Sequence, residues 1–205
     1  DSRPFSVSVV EKSMRIDLPL GERRAPRTKS GIPETPAKRV AAEASGRNDV
    51  LVRKGANIAA YGFGDGHPFG PDRHDAFHRE LAERGFGDRV TLASATEATH
   101  AELAAFHTRE HIARVETLCL EGTGWLDGGD TPARRGLDAA AAAVVGASVF
   151  AMENVMAGHA RRAFVPIAGL HHAARDRAAG FCIYNDCGVV LELLRSRHGL
   201  QRVAY

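Results

Sequence analysis

The residues of this chain best suited to chemistry are two adjacent histidines, in the run Gly169-Leu170-His171-His172-Ala173. An imidazole takes up or gives away a proton near neutral pH at little cost. Two together, on a loop where an apolar strand-like run ends, suggest an acid–base centre. The run Arg162 to Ala168 leads into them, and Gly180-Phe181-Cys182 and Asn185-Asp186 follow. On residue types alone, a pair of loop histidines that merely satisfies local hydrogen bonds fits equally well. His107 and His111 stand at i, i+4, a spacing that suits a helical metal pair, but no third ligand is spaced to help and Thr108 breaks the helix between them. His67-Pro68, inside the loop Gly62-Phe63-Gly64-Asp65-Gly66, reads as fixing backbone, and Cys182 as a small buried apolar residue.

The elements that must position the pair can be read from capping and periodicity. Asn57 to Tyr61 reads as a strand leading into the glycine loop. Pro71 to Arg84 reads as a helix with an apolar stripe of Ala76, Phe77, Leu81 and Ala82. Arg89 to Leu92 is a short strand. Thr96 and Thr99 each offer an N-cap, and Thr108 caps a further helix through Cys119. A loop over Gly122 to Asp130 precedes a long Ala-rich helix, Gly136 to Ala157. The strand Arg162 to Ala168 follows, then the histidine loop, a helix from Asn185 to Arg197, and a strand from Arg202 to Tyr205. Strand, helix and strand in succession imply a parallel sheet. In such sheets ligands bind beyond the carboxyl ends of the strands, where His171 and His172 fall. Upstream, Val7 to Val10 and Arg15 to Leu20 read as short strands, Gly21 to Pro36 as linker, and Lys38 to Ser45 as a helical turn or two.

Composition narrows the class. The 205 residues are 44% hydrophobic, enough for one packed core. The formal charge of +2 is too small to argue for nucleic acid. Residues 1–60 hold 12 Lys/Arg against 7 Asp/Glu, so a basic arm precedes a mildly acidic body. Three cysteines with no Cys-x-x-Cys pair argue against a disulfide scaffold and point to a reducing, cytoplasmic setting. No signal peptide opens the chain, and its first residue is not Met, so a trimmed or incomplete N-terminus is expected. The longest apolar run, Ala139 to Met152, falls short of the ~20 residues of a membrane span and reads as a buried helix. The Ala/Arg-rich usage suggests a bacterial source.

The flanks of the histidines carry a resemblance. Gly169-Leu170-His171-His172-Ala173 with Gly180-Phe181-Cys182 and Asn185-Asp186 resembles the histone deacetylase family, which includes the bacterial acetoin-utilisation proteins. Gly66-His67-Pro68-x-x-Pro71-x-Arg73 looks like that family's N-terminal motif. Phe106-His107-Thr108 with His111, and Asp130-Thr131-Pro132-Ala133-Arg134-Arg135-Gly136, match in family order with family-like spacing. The resemblance covers roughly residues 58–205. It implies an α/β fold with an open parallel sheet flanked by helices, of the arginase/deacetylase type. It implies zinc-dependent removal of acetyl or other acyl groups from lysine or a related small amine. His171 and His172 would then be the catalytic pair, His172 moving the proton. Asp130 would accept hydrogen bonds from the substrate backbone at the rim. Gly180 would offer its carbonyl to the scissile amide, Phe181 would wall the channel, and Arg73 would line the cavity that takes the acetate.

The family's metal ligands are an Asp and a His in an Asp-x-Asp-x-His-His run directly after a strand, and a later Asp; here the matching strand, Arg202 to Tyr205, is where the sequence stops. No metal ligand can be named in this chain, and the zinc ligands are expected beyond Tyr205. Residues 51–205 are therefore expected to be the N-terminal part of a deacetylase-like domain, truncated after a central strand, with 1–50 a basic, Pro-containing extension. An open edge there would invite homo-oligomerisation or a complementing C-terminal fragment. Neither direct nucleic-acid nor membrane binding is expected. The alternative is a non-catalytic fragment or pseudoenzyme of the same fold that acts as a binding module. A nucleotide-binding domain is disfavoured because the glycine loop lacks Gly-x-x-x-x-Gly-Lys-Ser/Thr.

Overall fold

The computed structural model describes residues 5–9, 14–17, 50–64, 66–70 and 72–205. The described strands are β1 (Phe5–Val9), β2 (Met14–Asp17), β3 (Val50–Lys54), β4 (Thr91–Ser94), β5 (Arg162–Val165) and β6 (Val203–Ala204). They form one sheet in the order β4-β3-β5-β2-β1-β6. β3 pairs in parallel with β4 and with β5, and β6 in parallel with β1. β2 is antiparallel to both β1 and β5. All but β2 therefore run the same way, with β5 and β6 separated by β2 and β1. The expected linker over 21–36, the turns over 38–45 and Pro71 lie outside the described residues.

The helices are α1 (Ala56–Ala59), α2 (Asp72–Glu83), α3 (His100–Leu103), α4 (Arg109–Glu121), α5 (Leu137–Met156) and α6 (Asp186–His198). They flank the sheet. Phe77 of α2 stacks on Phe164 of β5 with ring centroids 5.0 Å apart. Ala163 and Val165, on the opposite face by strand alternation, are buried in the core. The sequence reading of Asn57 to Tyr61 as a strand is wrong. The strand is β3, one step earlier, and Ala56–Ala59 is a single helical turn. Arg53 and Lys54 interrupt the apolar signal of β3, yet Arg53 is fully buried, its guanidinium 3.9 Å from the centroid of the Phe150 ring. Thr99 does cap its helix, with a complete capping box to Glu102, and Thr108 caps α4 through the His111 N–H. Thr96 caps nothing, because the chain there is committed to contact with α5.

That contact seats the long helix. α5 runs 20 residues, within one residue at each end of the expected helix from Gly136 to Ala157. Most of its residues are buried inside the fold, so it is a core helix. Small residues let the chain approach closely. The Ala98 N–H donates to the Ala142 carbonyl at 2.9 Å. A methyl group built at Gly146 would stand 2.0 Å from the Thr96 carbonyl oxygen. No rotamer change relieves a clash with backbone, so Gly146→Ala should lower stability by about 3 kcal/mol, in the upper range of overpacking substitutions. Gly128→Ala, which faces open space, should change it by less than ~0.5 kcal/mol. Urea denaturation of the two variants checks this, and equal effects would contradict the packing.

Candidate active site

β5 stops at Val165 because Pro166 has no N–H to continue the ladder. The chain then turns through Ile167 and Ala168 to Gly169, whose φ of +95° suits glycine. The N–H groups of Gly169 and Leu170 both point at the Asp186 carboxylate, at 3.1 and 2.7 Å from Oδ1. His171 and His172 come next. Both are exposed, with ring centroids 4.4 Å apart. Beyond them, Asn185 Nδ2 donates to the carbonyls of His171 and Ala173, at 3.1 and 2.8 Å.

The return limb of the loop is a tight turn. Ala179 and Cys182 exchange backbone hydrogen bonds of 3.0 and 2.9 Å. Between them Gly180 and Phe181 both have positive φ, +53° and +67°. This is the pattern of a type I′ turn, and it holds Phe181 in a conformation costly for a residue with a Cβ. A methyl group at Gly180 would stand 3.2 Å from the Cγ of His172, so the imidazole lies directly against the glycine. Tyr61, fully buried, compensates the strain: its hydroxyl donates to the Phe181 carbonyl at 2.7 Å and accepts the Ile183 N–H at 3.1 Å. Burial raises the Tyr61 pKa far above its ordinary value, so it stays a neutral phenol.

The other expected residues join this set. The Phe181 ring meets His67 edge-on at 4.6 Å. His67 Nδ1 accepts the Phe69 N–H at 3.0 Å, which leaves the proton on Nε2 to donate to the Asp130 carbonyl at 3.1 Å. Asp130 itself is exposed at the tip of a small hairpin bridged at Trp125 and Pro132. Asp127 braces that tip, accepting the N–H groups of Gly129, Asp130 and Thr131. Burial works to raise the Asp127 pKa, but its hydrogen bonds with Asp130 and Thr131 prevail and bring it to about 2, while the bond to Asp127 raises Asp130. Arg73 is half-buried with its guanidinium 4.7 Å from the Phe69 ring centroid, and Phe69 packs on Tyr61 at 5.5 Å. His171, His172, Gly180, Phe181, Asp130 and Arg73 are thus linked through one continuous set of contacts.

Sequence reasoning gave no positioning role to the polar residues that hold this set: Tyr61, His107, His111 and Asp186. The i, i+4 histidines serve backbone. His107 Nε2 accepts the Asn185 N–H at 2.8 Å and its Nδ1 bonds the Arg175 carbonyl at 3.2 Å. His111 Nε2 bonds the Ile183 carbonyl at 3.0 Å. Asn185-Asp186 was visible as a motif, but nothing in its spacing tells which backbone it grips. Among the described residues no group of three His, Cys, Asp or Glu side chains is gathered to hold a metal ion.

A family model described as "Histone deacetylase domain" matches residues 67–205. The chain belongs to the histone deacetylase family. It is 34% identical over 142 residues to Histone deacetylase 8 of Xenopus tropicalis, covering 66% of this chain and 38% of that protein. It is 33% identical over 169 residues to the acetoin utilization protein AcuC of Bacillus subtilis, covering 78% and 42%. It is 31% identical over 140 residues to the histone deacetylase-like amidohydrolase of Pseudomonas aeruginosa, covering 68% and 37%. The chain thus spans about two fifths of the length of these relatives. The crystal structure of the HDA15 HD domain matches with a TM-score of 0.67 at 26% identity, over 73% of this chain and 44% of that one. Within this histone deacetylase family chain, the matched span begins at His67 and takes in the whole pinned histidine loop.

His107 makes the loop sensitive to acid. Burial, and then the nearby His111, lower its pKa to about 4. An unfolded histidine takes up its proton near 6.5, so between these values the unfolded chain binds more protons and stability rises with pH. Stability should therefore fall by up to about 3 kcal/mol from pH 7 to pH 4 on account of His107. His107→Gln should remove that part of the slope. Denaturant titrations of both proteins across this range measure the difference, and parallel curves would contradict it.

Proposed function

We propose that this chain supplies the acid–base and channel-wall part of an amide hydrolase site that removes acetyl or related acyl groups from lysine or a similar amine. The observation that carries the proposal is the exposed His171–His172 pair on a loop hydrogen-bonded along both limbs, in a chain of the histone deacetylase family. In this reading His172, seated against Gly180, takes a proton from the attacking water. As the carbon–nitrogen bond breaks, it passes that proton to the leaving amine. The products are a carboxylate and the free amine. His171 keeps its proton and stabilises the developing oxyanion charge. Phe181 presents a flat face to the aliphatic stem of the lysine, and the Gly180 carbonyl accepts the hydrogen of the scissile N–H. Asp130 accepts hydrogen bonds from substrate backbone amides at the rim. Arg73, behind the Phe69–Tyr61 wall, suits the carboxylate product.

The family's zinc, when bound, supplies Lewis-acid activation of water and carbonyl. We assign none of the described residues to it, and propose that its ligands come from sequence outside them. The second reading is a binding module, in which the same exposed pair and channel wall hold the acylated amine without cleaving it.

Zinc content and turnover separate these readings. After dialysis, the 205-residue polypeptide should hold well under one equivalent of zinc and release no acetate from an acetyl-lysine peptide. A polypeptide extended to the length of the relatives should hold about one equivalent of zinc and release acetate. Stoichiometric zinc and turnover in the 205-residue chain would overturn the division of labour. An extended protein that binds the peptide without cleaving it would favour the binding module.

A further inference from the structure

Asp186 is the only buried acid among the described residues, with no exposed surface at all. A carboxylate in such a place is costly unless its oxygens are well bonded. Here they are. Oδ1 accepts the N–H groups of Gly169 and Leu170, and Oδ2 accepts the Gly169 N–H at 3.2 Å and the Ser148 hydroxyl at 2.9 Å. Asp186 also opens the first turn of α6, where the helix favours negative charge. Two successive N–H groups can converge on one carboxylate only if the backbone turns between strand and histidines, and the positive φ of Gly169 makes that turn. Asn185, the preceding residue, holds the far side of the pair through the His171 and Ala173 carbonyls. Its remaining groups are committed to the Gly188 N–H and to His107. The backbone around His171 and His172 is thus gripped from both sides by consecutive side chains at the start of one rigid helix, while the imidazoles face outward.

We infer that Asp186 is the positioning residue of the histidine pair, fixing the backbone at Gly169 and Leu170 so that the His172 imidazole is set against Gly180. The assignment rests on the reading of the pair as the acid–base centre. Asp186 does not reach the reacting atoms; it acts through the loop. A merely structural role would lower overall stability and leave the His172–Gly180 contact and the rate per folded molecule unchanged.

Nuclear magnetic resonance on the 205-residue chain tests the geometry. In the wild-type protein the Gly169 and Leu170 amides should exchange with solvent at least ~100-fold more slowly than in an unfolded chain. A cross-relaxation signal should join the His172 ring to the Gly180 α-protons. Asp186→Asn, which keeps acceptor and shape, should retain that signal. Asp186→Ala should lose it and speed both amides by more than ~30-fold relative to Val52 and Val144. Wild-type amides that exchange like a solvated loop, or an Asp186→Ala chain that keeps the ring contact, would overturn the inference. The wild-type rates need no substitution, so they decide the matter even if Asp186→Ala fails to fold. In the extended protein Asp186→Ala should lower kcat at least ~10-fold with KM within about twofold, and Asp186→Asn should restore most of it. An unchanged kcat would overturn the positioning role. Absence of turnover in the wild-type extended protein would defeat the proposed function, with the resonance measurements still judging the geometry.

Discussion

The convergence of the Gly169 and Leu170 N–H groups on the Asp186 carboxylate is the interaction on which the rest of this structure hangs. It joins the end of a core strand to the start of a core helix. It also fixes where the two histidines emerge. A loop that leaves a sheet and returns to a helix would ordinarily have many conformations, and each fixed residue costs about 1–2 kcal/mol of backbone entropy. Here that cost is offset by polar side chains buried against the loop's own backbone. Asp186 and Asn185 hold the outgoing limb, Tyr61 and His111 the returning limb at Phe181 and Ile183, and His107 the stretch between at Arg175.

The scaffold makes room for this arrangement by packing small residues. Ser148, which bonds Asp186, sits on α5 half a turn from Gly146, where the helix meets the Thr96–Ala98 backbone. Gly188, at the start of α6, lies against the Phe106 ring so closely that a methyl group there would stand 2.6 Å from it. A larger residue at either place would shift the helix and with it the carboxylate. The positive φ of Phe181 is the strained counterpart on the other limb. An aromatic side chain is kept in a turn position that favours glycine because its ring meets His67 and its carbonyl meets Tyr61.

Much of this was legible in the residues, and the reasons differ for what was not. The long helix, the caps at Thr99 and Thr108 and the last helix follow from local rules of periodicity and capping, and the structure repeats them within a few residues. β3 was hidden because a buried arginine, held over Phe150, looks like a surface residue in a hydrophobicity pattern. Ala56–Ala59 looked like a strand because four residues are too few to display a period. The histidine pair and its flanks stood out by type. The residues that hold the pair did not, because their partners are backbone groups up to 122 positions away and leave no mark on spacing. His107 and His111 show the hazard of spacing alone. At i, i+4 they look like a metal pair, yet both His107 nitrogens and His111 Nε2 bond the backbone of the histidine loop.

In the proposed function the histidine pair is the chemical half of a hydrolase site and the surrounding network is its mount. The most direct measurement is the turnover of an acetyl-lysine peptide by the extended protein carrying His172→Ala, with its zinc content determined on the same sample. The account predicts a loss of at least ~100-fold in kcat, in the range for removal of a general acid–base, with zinc content unchanged. Turnover at the wild-type rate in a zinc-loaded His172→Ala protein would contradict it.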